Sequence, residues 1–124
     1  MRTPIGKVRG LGAAKSGTRH WWHQRLTAVG LVPLVIWFIT SLVLMSGADF
    51  EAVSAWMKTP WVTAFMILFV GVGFYHLKLG IQVVIEDYIT NEGTKVVALV
   101  ISYSLIAVVG LLAAVSILRI AFGN

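Results

Sequence analysis

Cysteine is absent from this chain of 124 residues. That removes disulfides, thiolate metal sites, cysteine nucleophiles and iron–sulfur ligation by the chain itself. Charge is scarce too: 12% of residues are charged and only five are acidic. A soluble domain of this size needs far more polar surface to stay dispersed. In place of charge the chain has apolar residues, 58% of the total, and a mean hydropathy of +0.87. They come in long blocks rather than at a helical or strand period, the pattern of bilayer spans.

The net charge of +5 raises nucleic acid as a partner, but the placement of the charge argues against it. Six of the ten basic residues (Arg2, Lys7, Arg9, Lys15, Arg19 and Arg25) fall in the first 25 positions, with no acid among them. Lysine and arginine gather on the cytoplasmic side of membrane proteins, so the cluster reads as a topology signal and no nucleic-acid partner is expected. With Gly6, Gly10, Gly12 and Gly17 and no apolar run, residues 1–25 read as a mobile basic arm in the cytoplasm. The arm is too polar for a signal-peptide core, and the apolar stretch after it is too long. A basic, acid-poor start also resembles a mitochondrial transit peptide, but the bacterial cytoplasmic membrane is preferred to the mitochondrial inner membrane.

The expected fold is all-α and integral to the membrane, with three transmembrane helices at about 26–45, 61–85 and 96–122 in an anchor domain of residues 26–124. Pro33 lies inside the first span, where neighbouring helices can satisfy the carbonyl it frees. Trp21 and Trp22 mark one interface, and Trp56 and Trp61 the other. Residues 46–60 read as a short loop or surface helix, and Glu86 to Gly93 as a polar turn. Three spans with a cytoplasmic arm put the carboxyl terminus in the periplasm. The short connections leave no room for a soluble catalytic domain.

Ionisable groups inside a span are costly and normally face protein, cofactor or water. His76 is the sharpest case, roughly 13 Å from the cytoplasmic end of its helix at the α-helical rise. Three readings stand: an iron ligand, a proton relay, or a hydrogen-bonded structural histidine. Phe69, Val72, Gly73, Gly80, Val83 and Asp87 share its face at 100° per residue, and the glycines admit either a flat macrocycle or a second helix. His20 and His23 are expected in the interfacial arm, short of the depth of His76. A six-coordinate haem would therefore draw its second histidine from another chain.

The remaining candidates are weaker. Lys78 points about 200° away from His76, and snorkelling to the interface is its expected behaviour. Asp87 and Tyr88 close the second span; a tyrosine there can be a belt anchor, or the donor a quinone carbonyl needs with a proton source beside it. Arg25 is either a positive stop before the first span or a cation for a haem propionate or quinone pocket.

Taken together, His76-x3-Gly80-x3-Val84-x2-Asp87-Tyr88 on the second of three spans, and Arg25-Leu26-Thr27-Ala28 entering the first, resemble the hydrophobic membrane anchor subunit of succinate dehydrogenase (respiratory complex II), the smaller anchor that pairs with a cytochrome b chain. The architecture matches over nearly the whole chain, the motif over residues 76–88 and the vicinity of Arg25. The resemblance implies half of a two-chain helix bundle. It implies His76 as an axial ligand of haem b iron, Tyr88 and Asp87 at a ubiquinone-reduction site, and Arg25 near quinone or haem propionate. The implied partners are a cytochrome b-type second anchor subunit that supplies the other haem ligand, an iron–sulfur subunit, a flavoprotein subunit and membrane lipid. The chain would be a subunit of an oxidoreductase without acting on succinate itself. The rival class is a small transporter subunit using His76 and Lys78 as a proton or ion relay. Such relays normally place acids at mid-membrane, and none stands there in this sequence.

Overall fold

The computed structural model describes residues 4–5 and 14–123, and among these every regular element is helical. Helix α1 runs Ala14–Leu44, α2 Phe50–Met57, α3 Pro60–Tyr88 and α4 Glu92–Phe122. The three long helices have 31, 29 and 31 residues, each more than 40 Å at about 1.5 Å per residue and so longer than a hydrocarbon core of about 30 Å. The third span thus starts at Glu92 rather than near Val96, and the polar turn shrinks to residues 89–91.

One boundary departs from expectation by several turns. Composition predicts an irregular basic arm up to Arg25, yet α1 is already helical at Ala14. Residues 1–3 and 6–13 of the arm, with Arg2, Lys7 and Arg9, lie outside the described residues. The helical extension matters because it carries His20 and His23 in register with the residues of α1 that meet α3.

The connections follow local chemistry. Past α1 the chain turns through Gly47, whose φ of +86° is the one positive value among the described residues and needs a residue without a β-carbon. Asp49 then caps α2, its carboxylate accepting the Ala52 amide at 2.8 Å. Pro60 opens α3, where its missing N–H costs nothing. Asn91 caps α4 by accepting the Thr94 amide at 3.0 Å, with Glu92 in the first turn and Arg119 in the last, both favourable to the helix dipole.

Helix α3 is the middle of a three-helix layer: it packs on α1 along one side and on α4 along the other, while α1 and α4 do not meet. A layer leaves two broad faces open. Only Leu34, Val62, Met66, Leu79, Ile85 and Ile117 are buried among the described residues, and large apolar side chains are exposed along all three spans. In water such surface would aggregate; in a bilayer, lipid or a second subunit covers it.

The two ends of the layer differ. At the far end, where α2 lies, Val62, Met66 and Ile117 form a core backed by Trp37, Phe38, Trp56 and Met57. Trp37 is the hub of an aromatic cluster, 5.3 Å from Phe65, 6.0 Å from Trp56 and 6.3 Å from Trp61 between ring centroids. At the near end, where α1 begins and α3 finishes, Leu79 and Ile85 are buried and polar side chains of α1 and α3 also meet.

Candidate functional site

His20, His23 and Thr27 stand at i, i+3 and i+7 on α1, one helical face, and the same face continues through Gly30 and Leu34. Gly30 and Leu31 meet Val72 and Gly73 of α3, so this is the face that packs. Two hydrogen bonds cross from it. Thr27 Oγ1 lies 2.9 Å from His76 Nδ1, and His23 Nδ1 lies 2.7 Å from the Tyr75 hydroxyl. Thr27 Oγ1 is also 2.7 Å from the His23 carbonyl and 3.0 Å from the Gln24 carbonyl of its own helix. A bond between helices in a membrane averages about 0.6 kcal/mol, so this pair orients side chains more than it holds the fold together.

Thr27 is the residue level with His76, so His23, four residues before it, lies about one turn nearer the head of α1, as expected; what the sequence does not foresee is that His23 packs on α3. His23 touches the residue next to His76, because residues 14–25 form a helix that continues the packed face. The sequence signal is present in the spacing of His20, His23 and Thr27. It is outweighed by the basic and glycine-rich composition around it. His20 belongs to the same row, and its Nε2 is buried without a hydrogen-bond partner among the described residues.

The glycines that flank His76 separate into two roles. A β-carbon at Gly73 would lie 3.9 Å from Leu31, ordinary contact with α1, so Gly73 serves helix packing. A β-carbon at Gly80 would meet nothing within 4 Å. Beyond Gly80 the His76 face is open, and His76 Nε2 makes no hydrogen bond to any described residue. An imidazole with one nitrogen held and the other free, beside an open cradle, suits an axial ligand for a flat macrocycle, the chemistry expected of His76.

Asp87 and Tyr88 are exposed at the last turn of α3, Tyr88 to 82%, and neither side chain has a hydrogen-bond partner among the described residues. Glu86 accepts from Gln82 at 3.1 Å. Arg25 is exposed, its guanidinium 5.3 Å from the Trp21 ring centroid. No hydrogen bond or ion pair among the described residues joins Arg25 to Asp87 or Tyr88. These three are presented to the near end and are not assembled into a pocket by this chain.

Lys78 does something unforeseen. Rather than snorkelling, its ammonium lies 5.0 Å from the Tyr103 ring centroid and 5.8 Å from that of Tyr75. Aromatic faces attract a cation where water is sparse. These residues line a groove of about 650 Å³ between α3 and α4, with Gly71, Phe74, Ala107 and Gly110. A second cavity, of about 720 Å³, lies at the far end beside Lys58 and Arg119. Neither is lined by His76, Arg25, Asp87 or Tyr88.

Comparison with known proteins agrees with the resemblance seen in the motif. Residues 1–117 match the succinate dehydrogenase/fumarate reductase transmembrane subunit family. The chain is 33% identical over 118 residues to the succinate dehydrogenase hydrophobic membrane anchor subunit of Rickettsia bellii, covering 93% of this chain and 94% of that one. To the subunit of the same description from Paracoccus denitrificans it is 33% identical over 100 residues, covering 81% and 77%. To that from Rickettsia conorii it is 34% identical over 91 residues, covering 73% and 72%. No solved structure matches it significantly.

Proposed function

The chain belongs to the succinate dehydrogenase/fumarate reductase transmembrane subunit family, and from that premise we propose that it holds haem b through His76 and helps to form a ubiquinone-reduction site at the near end of α3. The chain is a membrane anchor subunit of succinate dehydrogenase, an oxidoreductase complex, and associates with the other subunits of that complex. Its three apolar helices and bacterial relatives fit an inner-membrane protein.

The observation that carries the haem assignment is the environment of His76. Nδ1 is held at 2.9 Å by Thr27, Nε2 is without a partner among the described residues, and the face continues into open space at Gly80. His76 is half-buried and its Nε2 is not enclosed by this chain, so that nitrogen is open to a ligand. Haem, when bound, supplies a one-electron store within the bundle. This chain contributes one histidine toward the iron, and the second comes from a cytochrome b-type anchor subunit packed on the open face.

Tyr88 and Asp87 are available at the near end to a ligand or a neighbouring chain. Tyr88 donates its hydroxyl to a quinone carbonyl, and Asp87 stands behind it as a proton source during reduction to quinol. Arg25, stacked on Trp21 at the head of the same layer, supplies positive charge toward quinone or haem propionate. The basic arm and the near end face the cytoplasm, where an iron–sulfur subunit binds and passes on electrons that a flavoprotein takes from succinate. The carboxyl terminus is periplasmic.

The test is the complex purified through a tag on this chain. A b-type reduced-minus-oxidised spectrum and succinate–quinone reductase activity should co-purify, and the spectrum should vanish in His76→Ala. An unchanged spectrum in that variant would falsify the ligand assignment.

A further inference from the structure

We propose that Thr27 fixes the tautomer of His76, leaving Nε2 as the nitrogen with a free lone pair; the proposal rests on the reading of His76 as a haem ligand. The geometry is a three-way contact. Thr27 Oγ1 lies 2.7 Å from the His23 carbonyl oxygen, 3.0 Å from that of Gln24 and 2.9 Å from His76 Nδ1. A threonine hydroxyl has one hydrogen to give and two lone pairs, while a carbonyl oxygen can only accept. Were the hydrogen turned toward His76, the hydroxyl would set its lone pairs against two carbonyl oxygens within 3.0 Å. Donation to the helix carbonyl, the ordinary back-bond of a threonine to the residue four before it, removes that repulsion. A lone pair of Oγ1 then faces His76, so Nδ1 must carry the hydrogen. Neutral imidazole protonated at Nδ1 has its remaining lone pair at Nε2.

His23 supplies the contrast. Its Nδ1 meets the Tyr75 hydroxyl, which can donate or accept, so nothing in that contact selects a tautomer. Selection at His76 follows from the two extra acceptors around Thr27. Metal-binding histidines generally donate their other N–H to an acceptor, which orients the ring and raises its basicity. Here the acceptor belongs to the first span. The packing of α1 on α3 is thereby coupled to the ligand strength of a residue on α3, and Thr27 is a positioning residue for it.

The assembled complex carrying Thr27→Ser, Thr27→Val or Thr27→Ala would be compared with wild type and with His76→Ala. Haem content, the reduced-minus-oxidised spectrum and an equilibrium redox titration would be read. Thr27→Ser keeps the hydroxyl and should behave as wild type. Thr27→Val keeps the shape without the hydroxyl; it and Thr27→Ala should weaken haem retention about tenfold or more. Both should raise the haem potential, because a histidine without its acceptor donates less charge to ferric iron. The Ser and Ala pair poses the same question should the valine complex not assemble. Wild-type content and potential in the valine or alanine variant would overturn the proposal. So would serine behaving as alanine does, which would mark the methyl as what matters. So would failed assembly of both hydroxyl-less variants with serine intact, which would make the hydroxyl a structural tie. If His76→Ala kept its haem, the ligand reading itself would fall; haem lost there but unaltered in the hydroxyl-less variants would sink the Thr27 proposal alone.

Discussion

The two ends of the helix layer are built on opposite principles. The far end is closed within the chain: Val62 has no exposed surface, Met66 and Ile117 pack in the same cluster, and three aromatic rings gather around Trp37 beside the loop helix α2. The near end is left unfinished. Leu79 and Ile85 are buried there, but the two side-chain hydrogen bonds between the long helices also fall at this end, its carboxylates and Tyr88 are exposed, and His76 keeps one nitrogen free. Since lipid is as apolar as leucine, close packing rather than burial from water holds spans together, and the chain places its one cluster of buried residues and its aromatic rings at the far end. The comparison teaches that the far end is finished within the chain, while the near end keeps polar groups that the chain leaves without partners among its described residues.

The contrast breaks most visibly at His76. His76→Ala should abolish the b-type haem signal of the purified complex while the far-end core, too distant to feel it, keeps the anchor assembled. Co-purification of the other subunits with the spectrum gone is the expected pair of results; loss of both together would mean that His76 holds the fold. The converse variant is Met66→Ala, which opens a cavity in the far-end core. It should lower the stability of the detergent-solubilised anchor by about 2 kcal/mol, the low end for such truncations, and leave the haem spectrum unaltered. A spectral change there would mean the two ends are coupled. Tyr88→Phe comes next in size. Loss of one hydrogen bond to substrate should cut quinone reduction about tenfold, with succinate oxidation by an artificial acceptor unaffected. Equal loss of both activities would turn Tyr88 into a structural residue.

Much of this contrast is legible in the sequence, and the illegible part has a definite cause. Three spans and the separate faces of His76 and Lys78 follow from hydropathy and helical geometry alone, while residues 46–60 stay open between a short loop and a surface helix. The motif from His76 to Tyr88 points to the family that the comparisons give. The helix over residues 14–25 escapes a sequence reading because hydropathy weighs each residue's taste for water and not its period. A polar stretch that packs its His20–His23–Thr27 face on a neighbour looks the same by composition as a solvated arm. Lys78 is misjudged for a related reason. Snorkelling assumes a lipid-facing lysine, and nothing in the sequence shows that Tyr103, on a different span, comes within cation–π reach. The roles of Gly73 and Gly80 are likewise inseparable until the position of α1 is known.

The smallest expected effect sharpens the comparison furthest, because it asks whether the near end contributes to stability at all. Tyr75→Phe removes the hydroxyl that meets His23 at 2.7 Å and keeps the ring that faces Lys78. If the bond only orients, the variant should lose about 0.6 kcal/mol, the average for bonds between membrane helices, and should retain full haem content, because Thr27 and not Tyr75 contacts His76. Thermal unfolding of the solubilised complex, followed by the haem band and by tryptophan fluorescence, reads the two ends separately. The chain's five tryptophans are divided between Trp21 and Trp22 at the head of α1 and Trp37, Trp56 and Trp61 in the far-end cluster, so its own share of the fluorescence, taken as the difference from a complex in which those three are replaced by phenylalanine, reports the far end. A drop of several kcal/mol in both signals would mean that the polar row supports the fold as strongly as the aromatic core does, and the division of labour between the ends would have to be given up.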